Sequence, residues 1–206
     1  METMSASFKW KKFDSQYYRF DFNGDGSENQ RRILWKGQGI GEPGSHFPVI
    51  GDLKMAEGSH YFRIHFMCDN FKVGGATADC PLNKPIGTTK HSWYVDMSTG
   101  DCFWGSDDCQ TRSILVPNPG AIARLHKFVA PSTGGIASFK INYDEGTVMF
   151  FFNDEYLGTV IRDPDLKSKG PFYPAVGITG LEGRAATALP EPMPAPILYN
   201  YKRNKL

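Results

Sequence analysis

Apolar and polar residues alternate with period two along several short stretches of this chain, the pattern of strands with one buried face. In 17–22, Tyr18, Phe20 and Phe22 fall on one side, with Arg19 and Asp21 on the other. In 61–66, Phe62, Ile64 and Phe66 oppose Arg63 and His65. In 139–143, Phe139, Ile141 and Tyr143 alternate with Lys140 and Asn142. Turn formers bound these stretches: Asn23-Gly24-Asp25-Gly26, Glu57-Gly58 and Asp144-Glu145-Gly146. The stretch 136–161 reads strand, tight turn, strand, tight turn, strand, which predicts a three-stranded antiparallel meander. Its middle run, 147–152 (TVMFFF), is apolar on both faces and predicts a central strand covered on both sides, as in a sandwich.

Helical patterning is scarce. The segment 119–128, with Asn118 as cap, Pro119 in first position and Ile122 and Leu125 on one face, predicts one or two turns. Gly74-Gly75 inside a strand predicts a bulge or a tight sheet contact, and Gly158 a bulge or close backbone approach. Trp93 is expected to fill the space between two sheets. The fold class that follows is all-β, a two-sheet antiparallel sandwich with at most one or two short helical turns. The domain is expected over 8–188, with 189–206 a Pro-rich, then basic, strap or tail.

Composition and charge narrow the function. A chain of 206 residues, 40% hydrophobic and 14% aromatic, builds a core without a disulfide or a metal. The net charge of +1, from 23 basic and 22 acidic residues, argues against a nucleic-acid partner, which needs a clustered positive field. The one basic cluster is the tail 199–206. No run approaches the roughly 18 apolar residues of a membrane span, and no signal-peptide core is visible near Met1. Cys68, Cys80, Cys102 and Cys109 form no C-x-x-C pair, so they are read as reduced thiols in a cytoplasmic or nuclear protein. No cofactor is expected.

Four constellations carry candidate chemistry. Asp21, Asn23 and Asp25, with Gly26, match the first half of a calcium loop, but position twelve is Arg32 where a bidentate Glu is required. The flanks read as strands rather than helices, so a plain hairpin turn is favoured and no metal is expected. Glycosidase chemistry needs two facing carboxylates, and the nearest spacing, Asp163 and Asp165, lies in a segment read as solvated loop. Tyr94, Asp101, Trp104, Asp107 and Asp108 form a candidate recognition patch of aromatics beside charge, set against the plainer reading of a solvated loop with one packing tryptophan. His46, His60, His65, His91 and His126 form no close pair, and neither a G-x-S-x-G elbow nor a phosphate-binding G-x-x-x-x-G-K loop occurs.

The order of several segments resembles the SPRY domain family, a concanavalin-like β-sandwich. The matching pieces are Gly58 ahead of YFRIHF, then FKVGGATA at 71–78, then Ser92-Trp93-Tyr94-Val95-Asp96. The meander YDEGTVMFFFNDEYLG follows, and lastly FYPAV at 172–176. The chain departs from the family at Gly134-Gly135, where Gly-Asp is usual, and in 80–91, which lacks the longer insert of members that read Asn-rich peptides. The region 101–128 matches no family landmark. The resemblance implies a non-catalytic interaction module that binds a protein or short peptide through its loops. It implies service as a substrate-recognition or scaffold domain, often beside ubiquitin-ligase machinery. By position, it nominates Asp69 and Asn70 in the loop 67–70 and Thr179, Gly180 and Leu181 in the loop 178–181. The competing reading is a lectin-like or calcium-dependent carbohydrate-binding sandwich.

Overall fold

A computed structural model describes residues 4–5, 8–37, 46–67, 71–104, 112–113 and 134–189. The strands in chain order begin with β1 (Met4–Ser5), β2 (Trp10–Lys12), β3 (Tyr18–Phe22), β4 (Glu28–Trp35) and β5 (Pro48–Gly51). They continue with β6 (Ser59–Met67), β7 (Phe71–Ala76), β8 (Ser92–Asp96), β9 (Cys102–Trp104) and β10 (Arg112–Ser113). The last five are β11 (Gly135–Asn142), β12 (Thr147–Phe152), β13 (Glu155–Arg162), β14 (Tyr173–Ile178) and β15 (Ala185–Leu189). A short helix, α1 (Leu166–Lys169), stands between β13 and β14. Among the described residues one sheet runs β13-β12-β11-β6-β15-β4-β3, with β1 beside β6, and the other runs β10-β9-β8-β7-β14-β5-β2.

The core lies between the sheets and is largely aromatic. Phe62 stacks on Phe139 at 5.3 Å, and Phe66 on Phe71 at 4.5 Å. Trp93 meets Phe139 and Phe172 edge-on from the second sheet and is fully buried. Gly74 and Gly75 sit opposite Tyr94 and Trp93 in regular register, so the strand carries a tight contact and no bulge. A Cβ at Gly75 would stand 2.7 Å from the Trp93 indole nitrogen, and one at Gly74 2.2 Å from the Trp93 carbonyl. The absent side chains are what let the indole lie flat between the layers.

The meander forms as predicted, β11-β12-β13. Val148 and Phe150 face the core, while Met149 and Phe151 pack with Tyr61 on the other side of the sheet. The register of β12 against β13 slips on either side of Phe150↔Gly158, a bulge pair with the glycine between. Two expectations fail locally. Phe22 was assigned to the buried face of β3 with Tyr18 and Phe20 but is 56% exposed, because the register shifts between Phe20 and Asp21 and the alternation stops there. Arg63 was placed in solvent and does face outward, yet it is only 4% exposed and pairs with Asp154 at 2.9 Å. The segment holding Asp163 and Asp165, read as a solvated loop, instead folds into α1 and buries Leu166 completely. The predicted turns at 119–128 and the strap at 190–206 lie outside the described residues.

Candidate functional site

The second sheet separates the aromatic patch. Register pairs Trp93 with Trp104 and Tyr94 with Phe103. Side chains directly opposite share a face and neighbours along a strand alternate, so Tyr94 and Trp104 point to opposite sides of the sheet. Trp104 turns inward onto Phe172 at 5.6 Å and donates from Nε1 to the Lys90 carbonyl. Tyr94 stacks on Phe103 at 5.1 Å beneath the Lys72 ammonium, and its ring closes against Gly87, where a Cβ would approach to 2.0 Å. Burial pushes the Tyr94 phenol well above its ordinary range. Both aromatics are buried packing residues, which corrects their assignment to a surface patch. Asp101 is half-buried at the β8–β9 turn, where its carbonyl accepts from the Asp96 amide. Asp107 and Asp108 lie outside the described residues.

The acidic tip at 21–27 is a hairpin whose polar groups bond one another. Asp25 Oδ1 accepts from both the amide and the hydroxyl of Ser27, at 2.9 and 2.6 Å. Asn23 Nδ2 donates to Ser27 Oγ, Asp21 Oδ1 accepts from the Phe22 amide, and Asp21 Oδ2 pairs with Arg32 at 3.2 Å. The serine donors hold the Asp25 carboxyl below the usual carboxylate range. Each candidate ligand side chain has its oxygen directed at a partner within the β3–β4 hairpin, so the three oxygens do not converge. Among the described residues no group of three or more His, Cys, Asp or Glu is placed to hold a metal ion.

The loop 179–184, between β14 and β15, is built differently. Tyr18, buried on β3, donates from its hydroxyl to the Phe47 carbonyl at 2.7 Å and accepts from the Ile178 amide at 3.1 Å, tying the loop's start to both sheets. Trp35, the last residue of β4, grips the rest. Its indole Nε1 donates to the Gly180 carbonyl at 3.0 Å and its amide to the Arg184 carbonyl at 2.8 Å, while its own carbonyl accepts from Gly183 at 3.0 Å. Arg184 Nη1 then donates across the loop to the Thr179 carbonyl at 3.1 Å. Tyr17 stacks between the Trp35 ring at 6.0 Å and Phe47 at 4.2 Å, holding the indole's orientation.

Bracing from behind leaves the apex outside. Leu181 is 75% exposed, the most exposed large apolar side chain among the described residues. Beside it an open cleft of about 530 Å³ is lined by Arg19, Lys36, Gly37, Gly180, Leu181 and Glu182. Lys36 Nζ donates to the Ser15 carbonyl at 2.6 Å, and its amide to the Tyr17 carbonyl. Gly37 has φ +71°, and a Cβ there would fall 2.7 Å from that of Glu182. That close approach brings the strap after β4 against the loop.

Thr179, Gly180 and Leu181, nominated by position, therefore meet at one cleft. Asp69 and Asn70 lie outside the described residues, though their flanks are clear. Met67 pairs with Ala185 and Phe71 with Ile178, so the loop 68–70 starts and ends beside the loop 179–184. Arg19, Lys36 and Glu182 were missed by sequence reasoning. Their nearest signal was that Arg19 and Lys36 flank the aromatics Tyr18 and Trp35, which does not reveal that those aromatics bond to a loop far along the chain.

Comparison with known proteins agrees with this architecture. The chain is 28% identical over 157 residues to Protein gustavus of Drosophila melanogaster, an alignment covering 71% of this chain and 54% of that protein. The chain thus spans about half the length of the curated relative it matches. Among solved structures it is similar to the TRIM65 PSpry domain, with a TM-score of 0.59 at 14% identity, covering 90% of this chain and 93% of that one. It is likewise similar to the SPRY domain of human HERC1, with a TM-score of 0.55 at 13% identity, covering 89% of this chain and 100% of that one. At such identities these likenesses speak for the fold. The SPRY domain model matches residues 59–189, which takes in β6 through β15 and the braced loop, and the chain belongs to the SPRY domain family.

Proposed function

We propose that this chain is a non-catalytic protein-recognition module whose partner, a peptide or a folded protein, docks on the loop 179–184 and the cleft beside it. Family membership supports the general role, since SPRY domains generally serve as protein-interaction modules. The observation that carries the location is Leu181, 75% exposed at the apex of a loop held by Trp35, Tyr18 and Arg184. A large apolar side chain held rigidly in water costs free energy that contact with a partner returns, and preorganisation lowers the entropy lost on binding. In this reading the chain works inside the cell as a recognition or scaffold piece. The lectin-like alternative gains no support from the hairpin tip, whose oxygens are engaged locally.

The test is affinity purification from the native cell with wild type, Leu181→Asp and an Asp25→Ala control, followed by quantitative mass spectrometry. Proteins recovered with wild type and the control should fall at least about tenfold with Leu181→Asp, the scale of losing about 1.4 kcal/mol. The melting temperature should stay within a few degrees, because surface changes cost little. The same proteins recovered equally by all three would place the docking surface elsewhere.

A further inference from the structure

The hydrogen-bond inventory around the cleft is lopsided. The carbonyls of Thr179, Gly180 and Arg184 accept from Arg184 Nη1, Trp35 Nε1 and the Trp35 amide. Those backbone acceptors are occupied. The donors are not exhausted: Lys36 Nζ gives one of its three hydrogens to Ser15, and Arg19 projects from β3 with its side chain exposed. Glu182 is the one acidic residue of the lining, against two cations. Gly37 and Gly180 put no side chain into the cleft, and Leu181 supplies its apolar edge. The chain as a whole is nearly neutral at +1, so this positive excess is local.

We infer that the cleft takes an extended acidic segment of the partner, one Asp or Glu carboxylate set against Arg19 and Lys36, with a neighbouring aliphatic side chain laid on Leu181. This rests on the recognition role proposed above and adds its chemistry. A carboxylate is acceptor-only and complements a wall of donors. Glu182 offsets one of the two cations, so a single carboxylate matches the cleft and a polyanion does not. That selects an acidic peptide over nucleic acid.

The experiment is selection from a random peptide display library with the full chain as bait, followed by fluorescence anisotropy of an enriched peptide. Enriched sequences should carry Asp or Glu next to Leu, Ile or Val. Replacing that acid by its amide should weaken binding about tenfold, as should Arg19→Glu, and raising salt from about 0.1 to about 1 M should weaken it further. Glu182→Gln should tighten binding, an effect that a damaged fold does not imitate. Enriched peptides without an acid, or indifference to both charge variants while Leu181→Asp still abolishes binding, would overturn the acidic specificity and leave the recognition surface standing. Peptides that bind unaffected by Leu181→Asp, or no enrichment at all, would remove both.

Discussion

Two glycine-containing turns of this molecule reach solvent, and they are stabilised in opposite ways. The hairpin tip at 21–27 satisfies itself: Asp25, Asn23, Ser27 and Asp21 bond within the β3–β4 hairpin, over a few residues of sequence. The loop 179–184 takes its support from elsewhere. Trp35 lies 145 residues from Gly180, and Tyr18 lies 160 from Ile178. A self-satisfied turn has few groups to offer a partner. A loop braced from behind keeps its outer surface for something else, and here that surface is Leu181 and the charged cleft.

Removing the brace should produce the largest effect. Trp35→Ala takes out a buried indole packed on Tyr17 and Tyr18 together with the bond to Gly180. We expect a loss of about 3–5 kcal/mol in denaturant unfolding, the usual cost of Trp→Ala in a core. Trp35→Phe keeps a ring and loses the indole donor, so it should cost less, about 1–3 kcal/mol, while still loosening the loop. Amide hydrogen exchange provides the check: in Trp35→Phe, protection should fall at Gly183 and Arg184 and hold at Ser27. Equal protection in both turns would mean the brace is not what orders the loop.

The contrast also explains how much could be read from the sequence. The hairpin was legible because Asn-Gly-Asp-Gly and its neighbours carry their partners beside them. The meander was legible because its turns are two or three residues long and its middle strand is apolar on both sides. The order of landmarks located Leu181 but gave no reason for it to be presented, since that reason is Trp35, a residue which reads only as core. The aromatic patch failed for a related cause. Tyr94 and Trp104 are close in sequence, but whether they share a face depends on the β8–β9 register, and Trp93↔Trp104 sets them apart. Phe22 failed because one bulge at the end of β3 undoes the alternation that predicted its burial.

A smaller perturbation acts at the contact between the strap and the loop. Gly37→Ala puts a β-carbon at φ +71° and 2.7 Å from the Glu182 β-carbon. We expect a cost of about 1–3 kcal/mol, from the strained conformation and the displacement of Glu182. Its signature should be local, with amide chemical-shift changes at Glu182 and Gly183 and none at the hairpin tip. If Gly37→Ala is silent in thermal melts and in spectra alike, the two segments do not touch as described.

The smallest effect belongs to the hairpin and completes the comparison. The Ser27 hydroxyl and amide both donate to the Asp25 carboxylate and lower its pKa from 3.8. A carboxyl with a depressed folded pKa stabilises the fold above its unfolded value, and that contribution fades as pH falls through the folded value. A carboxyl-detected NMR titration should therefore find the Asp25 midpoint below 3.8, and Ser27→Ala should return it towards that value by removing the hydroxyl donor. The tip is fully solvated, so melting should barely respond to Ser27→Ala, and binding at the loop 179–184 should not respond at all. A partner affinity that followed the Asp25 titration would show that the two turns are coupled, and the separation between the self-contained tip and the braced loop would have to be given up.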